Sequence, residues 1–328
     1  MRQSPKPDNR MSVTISVVIP CYNGGKYLPG LLENISQQTF KDYEVVVVDD
    51  GSKDDTREQL QALSQQYDFL RYVSVPNGGV TKARWNGVQH AQGEWITFVD
   101  VDYSLPADAL ADLYSCACDD TDIVVGYART PPTPFVPKDL TEVRGRVVSE
   151  HGYPPSPFGK LFRRTLFSEG IFDIPREINY GEDCLMNIRL AYATQKVPRF
   201  LFKRVYTYIR NVGSVSVNHK KTLDYEYLYN QYRLASVPPQ EQGKIADALL
   251  RIRLQGLKSV SLAEYKEISR KQNHPLIESL RADVAKAHYK VPLKRLIFLR
   301  PSLWRIVYIA GWAYARFLEV RYAILRRL

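Results

Sequence analysis

Apolar residues fall into two rhythms along the first half of this chain. Short β-branched runs at residues 13–19, 43–48, 70–75, 95–99 and 122–127 are nearly continuous, as in strands covered on both faces. Stretches with helical spacing separate them, at 26–38, 54–66, 80–90 and 106–116. This alternation predicts an α/β fold: a mostly parallel sheet with helices on both faces. Ser52 with Asp55 resembles a helix N-cap pair, and Asp54 suits a helix N-terminus. The regularity stops at Pro131-Pro132-Thr133-Pro134, and from there to 157 an irregular loop at a binding face is expected. Mixed structure resumes over 158–220. From about 223 onward the pattern is mainly helical, interrupted at Pro238-Pro239, Pro275, Pro292 and Pro301. Residues 1–12 are polar, with Pro5 and Pro7 and no apolar signal-peptide core, and read as a loose tail. The expected organisation is a tail at 1–12, a domain at 13–220 with halves 13–130 and 131–220, and a helical region at 221–328.

Each run of the first half ends in polar residues. Pro20-Cys21-Tyr22-Asn23 follows the first, Asp49-Asp50-Gly51-Ser52 the second, Pro76-Asn77-Gly78-Gly79 the third, and Asp100-Val101-Asp102 the fourth. In a parallel sheet these ends share one edge, where ligands of open α/β sheets collect. Any one cluster has a structural explanation as a turn or cap. Four in register point to a ligand crevice. Two acids one residue apart, just past a strand, suit a hard divalent cation that fills its shell with water and phosphate oxygens. No GxGxxG turn or Gly-rich phosphate loop follows the first run, which argues against a dehydrogenase and a sugar-phosphate nucleotidyltransferase.

Four motifs, in order, resemble the family-2 glycosyltransferases, inverting enzymes with a GT-A fold. They are residues 16–23, 47–56 (Val47-Val48-Asp49-Asp50-Gly51-Ser52), 77–87 (Asn77-Gly78-Gly79 to Asn86-Gly87) and 91–102. The resemblance is close over 13–130 and weaker to about 220. It implies a nucleotide-sugar donor, here a UDP-sugar. Pro20 and Tyr22, with Asn23 beside them, flank the base; Asp50, with Asp49, accepts from its N–H; Asp100 contacts the ribose. Asp102 binds Mn²⁺ or Mg²⁺ at the diphosphate, and that ion stabilises the leaving group's charge. Lys82 and Arg84 are either a nucleotide wall or a solvated helix face.

An inverting transfer also needs a carboxylate to take the acceptor's proton. The Glu-Asp pair of the resembled family maps onto Glu182 and Asp183, with Asp183 as base and Glu182 positioning base or acceptor. The alternative is that both acids only support a helix N-terminus. Lys160, in the segment 156–164, is implied on the acceptor side. Arg210 and Ser216 are implied to close over the diphosphate, and His219 to complete the metal shell. Trp85 and Val101 depart from the usual family residues without touching this chemistry.

Charge adds a second theme. The net charge is +10, and residues 221–328 hold 20 Lys/Arg against 9 Asp/Glu, so the basic excess lies there. Nine of those cations fall within 290–328, interleaved with Trp304, Ile306, Phe317 and Leu325. The apolar stretch 306–315 is shorter than the ~20 residues that span a bilayer. A basic amphipathic helix on an anionic membrane is expected, with packing on the domain or contacts between copies of the chain as the alternatives. Nucleic acid is not expected, because the tail is apolar around most of its circumference. Cys21, Cys116, Cys118 and Cys184 are too scattered for a disulfide framework and imply a reducing compartment. The expected setting is the inner face of the cytoplasmic membrane, with a glycan or lipid-linked acceptor. A catalytically silent membrane-bound assembly protein is the alternative from another class; the intact acids weigh against it.

Overall fold

The computed structural model describes residues 13–129, 132–208, 219–263, 273–288, 291–300 and 309. The chain divides into two compact units, one of residues up to 147 and 151–217, the other of 148–150 and 218–328.

In the first unit the expected strands form at β1 (Ile15–Cys21), β2 (Tyr43–Asp49), β3 (Leu70–Ser74) and β4 (Trp95–Phe98), joined by helices α1 (Leu28–Ser36), α2 (Thr56–Gln66) and α3 (Val80–His90). A short strand β5 (Tyr103–Ser104), helix α4 (Ala109–Tyr114) and strand β6 (Ile123–Tyr127) follow. Next come α5 (Leu140–Ser149), β7 (Lys160–Arg163), α6 (Glu169–Phe172), α7 (Glu182–Ala193), β8 (Arg199–Arg204) and β9 (Thr207–Tyr208).

Seven strands make one sheet in the order β3-β2-β1-β4-β7-β6-β8. Only β7 is antiparallel to its neighbours; the other ladders are parallel. Six carboxyl ends and the amino end of β7 therefore line one rim. β1 and β2 are buried at every position, as their unbroken apolar runs require. β3 lies at the sheet's edge, and only its first residue, Leu70, is buried. This is the mostly parallel sheet joined by helices that the sequence predicts.

Two local expectations are corrected. Helix α2 starts at Thr56, whose amide donates to Asp54 Oδ1 at 3.2 Å, while Ser52 Oγ accepts from Asn23 N at 2.9 Å. Ser52 thus ties two rim turns together instead of capping the helix. The stretch to 157 is not irregular throughout, because α5 lies in it. Its start is capped by two bonds: Glu142 N donates to Asp139 Oδ1 at 2.8 Å, and Lys138 N to Glu142 Oε2 at 2.9 Å. Val143, Val147 and Val148 are buried.

In the second unit, helices Leu223–Ala235, Ala246–Ala263 and Pro275–Ala285 enclose a core of Leu223, Leu254, Leu257, Leu276 and Leu280. Val291, Phe298 and Leu299 belong to the same core, and Arg281 holds the Leu299 carbonyl at 2.8 Å. The basic stretch from 290 is therefore not a free membrane helix at its start, since burial of these apolar side chains draws it inward. Its continuation at 301–328, apart from Ile309, lies outside the described residues. Among the described residues no helix is long and apolar enough to cross a membrane.

Candidate active site

The rim is built from turns that hydrogen-bond to one another. After β1, Asn23 adopts a left-handed conformation, φ +50°, and its Oδ1 accepts from Lys53 N at 2.8 Å. Asp50 N donates back to Cys21 O at 2.8 Å. Pro20 is buried within β1, in register with Val48, and Tyr22 beyond it is 48% exposed.

The two acids after β2 have different surroundings. Asp49 is fully buried and its Oδ1 closes the turn by accepting from Ser52 N at 2.9 Å. Asp50 Oδ1 accepts from Gly78 N at 2.7 Å, while Oδ2 accepts from Gly79 N at 2.9 Å and Asn77 Nδ2 at 3.2 Å. The carboxylate after β2 thus shapes the loop after β3. It uses three of its roughly four acceptor sites in doing so. Gly51 at φ +71° and Gly79 at φ +90° supply the backbone this loop needs. Arg176, from the segment before α7, also reaches Asn77 Oδ1.

The centre of the site is Arg84. Helix α3 turns Ala83, Arg84, Gly87 and Val88 toward the sheet, so Arg84 is buried while Lys82 points to solvent. Arg84 therefore does not lie on a solvated helix face, whereas Lys82 is exposed. Arg84 Nη1 bonds to Asp183 Oδ1 at 2.6 Å and Nη2 lies 3.5 Å from Asp100 Oδ1. Only 2% of the guanidinium side chain is accessible, against 22% for Asp183 and 30% for Asp100. One buried cation therefore joins the acid after β4 to an acid on α7 that lies 99 positions beyond the arginine itself. Burial works against the guanidinium charge, but Asp183, Asp100 and Glu182 outweigh it and hold its pKa above the usual value.

The neighbouring acids feel each other. Burial, aided by Asp183 and Asp102, pushes Asp100 up to about 7 against the pull of Arg84. Burial and then Asp183 raise Glu182 to about 7. Burial also raises Asp102. Gly181, at φ 91° and ψ 5°, leads into α7 and sets both its acids in the first turn. An aromatic wall stands beside them: Tyr103 packs on Phe158 at 4.7 Å and on Tyr206 at 5.6 Å, and Arg84 lies 5.5 Å over the Phe158 ring.

Excess negative charge of this kind suits a divalent cation. Among the described residues no group of three or more His, Cys, Asp or Glu converges. The donor set fits an ion such as Mn²⁺ or Mg²⁺, which takes one or two carboxylate oxygens and keeps its other positions for water and phosphate. His219 lies in the second unit, where its ring packs edge-on against Tyr225 at 4.4 Å. Arg210 and Ser216 lie outside the described residues. Lys160, expected on the acceptor side, is fully buried, and its ammonium is held by main-chain carbonyls.

The spacing of Ala83, Arg84, Gly87 and Val88 is the signal that identifies Arg84: an arginine on a helix's apolar stripe faces the interior. No signal of spacing links it to Asp183.

The profile of glycosyl transferase family 2 matches residues 16–173. Glycosyltransferase GlyG of Streptococcus pneumoniae is 31% identical over 225 residues, 62% of this chain and 73% of GlyG. GlyA of the same organism is 30% identical, and the chain spans only 31% of its length. The crystal structure of S. aureus TarS 1-349 in complex with UDP-GlcNAc aligns with a TM-score of 0.64, at 22% identity and 91% coverage of both chains. Mannosyltransferase PcManGT from Pyrobaculum calidifontis, in complex with GDP-Man and Mn²⁺, aligns at 0.54 with 19% identity, covering 94% of this chain and 88% of its own. At such identities these two structures speak to the fold.

Proposed function

The chain belongs to glycosyl transferase family 2, and from that premise we propose that it is a divalent-metal-dependent, inverting transferase that moves a sugar from a UDP-sugar to a hydroxyl of a surface glycan or lipid-linked acceptor. The observation that carries this reading is the Arg84 bridge, which sets donor-side Asp100 and Asp183 on one guanidinium.

The nucleotide lies along the carboxyl ends of β1 to β4, with its base between Tyr22 and the Asp50 loop. Asp50 has about one acceptor site left for an imide N–H, and the loop it shapes is already in place. Asp100 meets the ribose. Asp102 would hold Mn²⁺ or Mg²⁺, and when bound that ion would supply Lewis-acid stabilisation of the diphosphate charge. Asp183 takes the acceptor hydroxyl's proton. The acceptor oxygen bonds to the anomeric carbon as that carbon's bond to the diphosphate oxygen breaks, and the electron pair leaves with UDP. Arg84 engages Asp183 through Oδ1, so Oδ2 is the oxygen that receives the proton. The TarS complex with UDP-GlcNAc supports a UDP-sugar donor, and the PcManGT complex with Mn²⁺ supports the metal. The basic residues beyond 300 favour an anionic membrane as the place of action.

The test separates binding from chemistry. Asp183→Asn is expected to bind UDP-GlcNAc with Mn²⁺ within about threefold of the parent, and to lose at least about a hundredfold in turnover, the range for a general base. Full turnover in that variant removes Asp183 as base.

A further inference from the structure

Lys160 begins β7 and is fully buried. Its ammonium donates to Pro154 O at 2.9 Å and to Ser156 O, and rests over the Tyr153 ring at 4.9 Å. The carbonyl between them, Pro155 O, accepts from Asn187 Nδ2 at 2.7 Å. The same amide donates to Asp183 O at 2.9 Å. Three successive carbonyls therefore end on two side chains, one from β7 and one from the helix that carries Asp183.

The sequence requires such donors. Pro154, Pro155 and Pro157 have no N–H and cannot join a ladder as donors. Their segment is buried at Tyr153, Pro157 and Phe158, so its inward carbonyls need partners from elsewhere. The segment is also the site's wall. Ser156 Oγ bonds to Tyr206 Oη at 2.8 Å, and Phe158 lies beneath Arg84. Gly159, at φ +66°, lets the wall approach Tyr206, where an added Cβ would stand 2.5 Å from the ring. An ammonium is a costly group to bury, and burial pushes the Lys160 amine down to about 7. An apolar side chain would fill the strand position without that cost but would leave two carbonyls unpaired.

We propose that Lys160 and Asn187 are positioning residues: Lys160 ties the 153–158 segment to β7, Asn187 ties it to the first turns of α7, and together they hold Asp183 against Arg84 and the donor-side Asp100. The inference rests on the base role of Asp183 proposed above. Neither side chain touches substrate; both act through Asp183.

The test uses the full chain, with Lys160→Met and Asn187→Leu as variants close in shape. UDP-GlcNAc hydrolysis with Mn²⁺ gives kcat and KM. Each variant is expected to lose about ten- to a hundredfold in kcat, as for a misplaced catalytic group, with KM within about twofold. In an Asp183→Asn background the same changes should cost no further kcat. A loss of equal size in that background, or an unchanged kcat, overturns the proposal. Amide exchange over Glu182–Leu185 is the second readout. It should quicken in both variants, and unchanged exchange overturns the clamp even if UDP-GlcNAc is not the donor. A parent enzyme that fails to turn over UDP-GlcNAc counts against the donor reading, and exchange then decides this one. Should Lys160→Met not fold, Asn187→Leu carries both measurements.

Discussion

Arg84→Met removes the guanidinium that joins Asp100 to Asp183 and keeps a side chain of similar reach. Two unit charges ~4 Å apart interact by about 4 kcal/mol at an effective dielectric constant of ~20. The contact to Asp183 is the shorter, 2.6 Å against 3.5 Å to Asp100. Both acids retain access to water, so part of the gross attraction is already screened. After that discount, a coupling of ~1–3 kcal/mol between Arg84 and Asp183 is expected, within the range for paired residues of one network. The single variant should lose ~2–4 kcal/mol of stability, because it also leaves neighbouring carboxylates with one cation fewer. Asp100 should rise further above its present value, since Arg84 is what holds it down. At pH 7 more of it is then protonated, and UDP-GlcNAc turnover falls. Urea unfolding of Arg84→Met, Asp183→Asn and the double variant gives the coupling, and hydrolysis rates run in parallel. Strict additivity within about 0.3 kcal/mol, or parental turnover in Arg84→Met, would falsify the bridge as the centre of the site.

Three more outcomes follow from the geometry. Gly51→Ala places a Cβ 2.8 Å from Asn77 N at φ +71°, and should cost ~1–3 kcal/mol and weaken UDP binding, read by urea unfolding and calorimetry; parental values for both would mean that the Asp50 loop does not depend on this turn. Stability should pass through a minimum near pH 7 as far as two groups decide it. Glu182 is raised from 4.5 to about 7, so its contribution is complete below 4.5 and is lost as pH rises through about 7. Lys160 is lowered from 10.5 to about 7, so its contribution is complete above 10.5 and is lost as pH falls through about 7. Unfolding midpoints from pH 5 to 10 test this, and an alkaline rise that persists in Lys160→Met would exonerate the lysine. Deleting residues 301–328 should abolish association with anionic liposomes and spare the fold. Deleting 290–328 should also remove buried Val291, Phe298 and Leu299 and destabilise the second unit by ~4.5–9 kcal/mol, at ~1.5–3 kcal/mol for each buried side chain. Undiminished liposome binding after the shorter deletion would end the membrane reading.

The β1–β4 half was legible because its chemistry is local. An unbroken run such as Tyr43–Asp49 has only one economical place, a strand covered on both sides, and the polar residues after it must then lie at a sheet edge. Asp50, Asp100 and Asp102 could be found by that rule. Helix α5 was also written in the chain, in Asp139, Glu142 and the spacing of Val143 and Val147, but the prolines before it outweighed those signs. The roles of Asp49 and Asp50 were not separable by pattern. Which of two adjacent acids turns inward depends on the pleat and on the glycines of a loop almost thirty residues further on.

The cations are the residues whose surroundings local pattern does not fix. Lys82 and Arg84 are two positions apart on one helix, and a lysine at 160 looks like any other surface charge until the strand holding it is placed inside the sheet. Strand and helix identities, the shared rim and the acids upon it are consequences of local periodicity and turn chemistry, and the chain states them openly. That Arg84 meets Asp183, and that Lys160 and Asn187 close on three carbonyls of a proline-rich segment, came from folding itself. Such contacts depend on β7 running against β4 and β6, and no periodicity within a single segment encodes which distant charges that reversal will bring together.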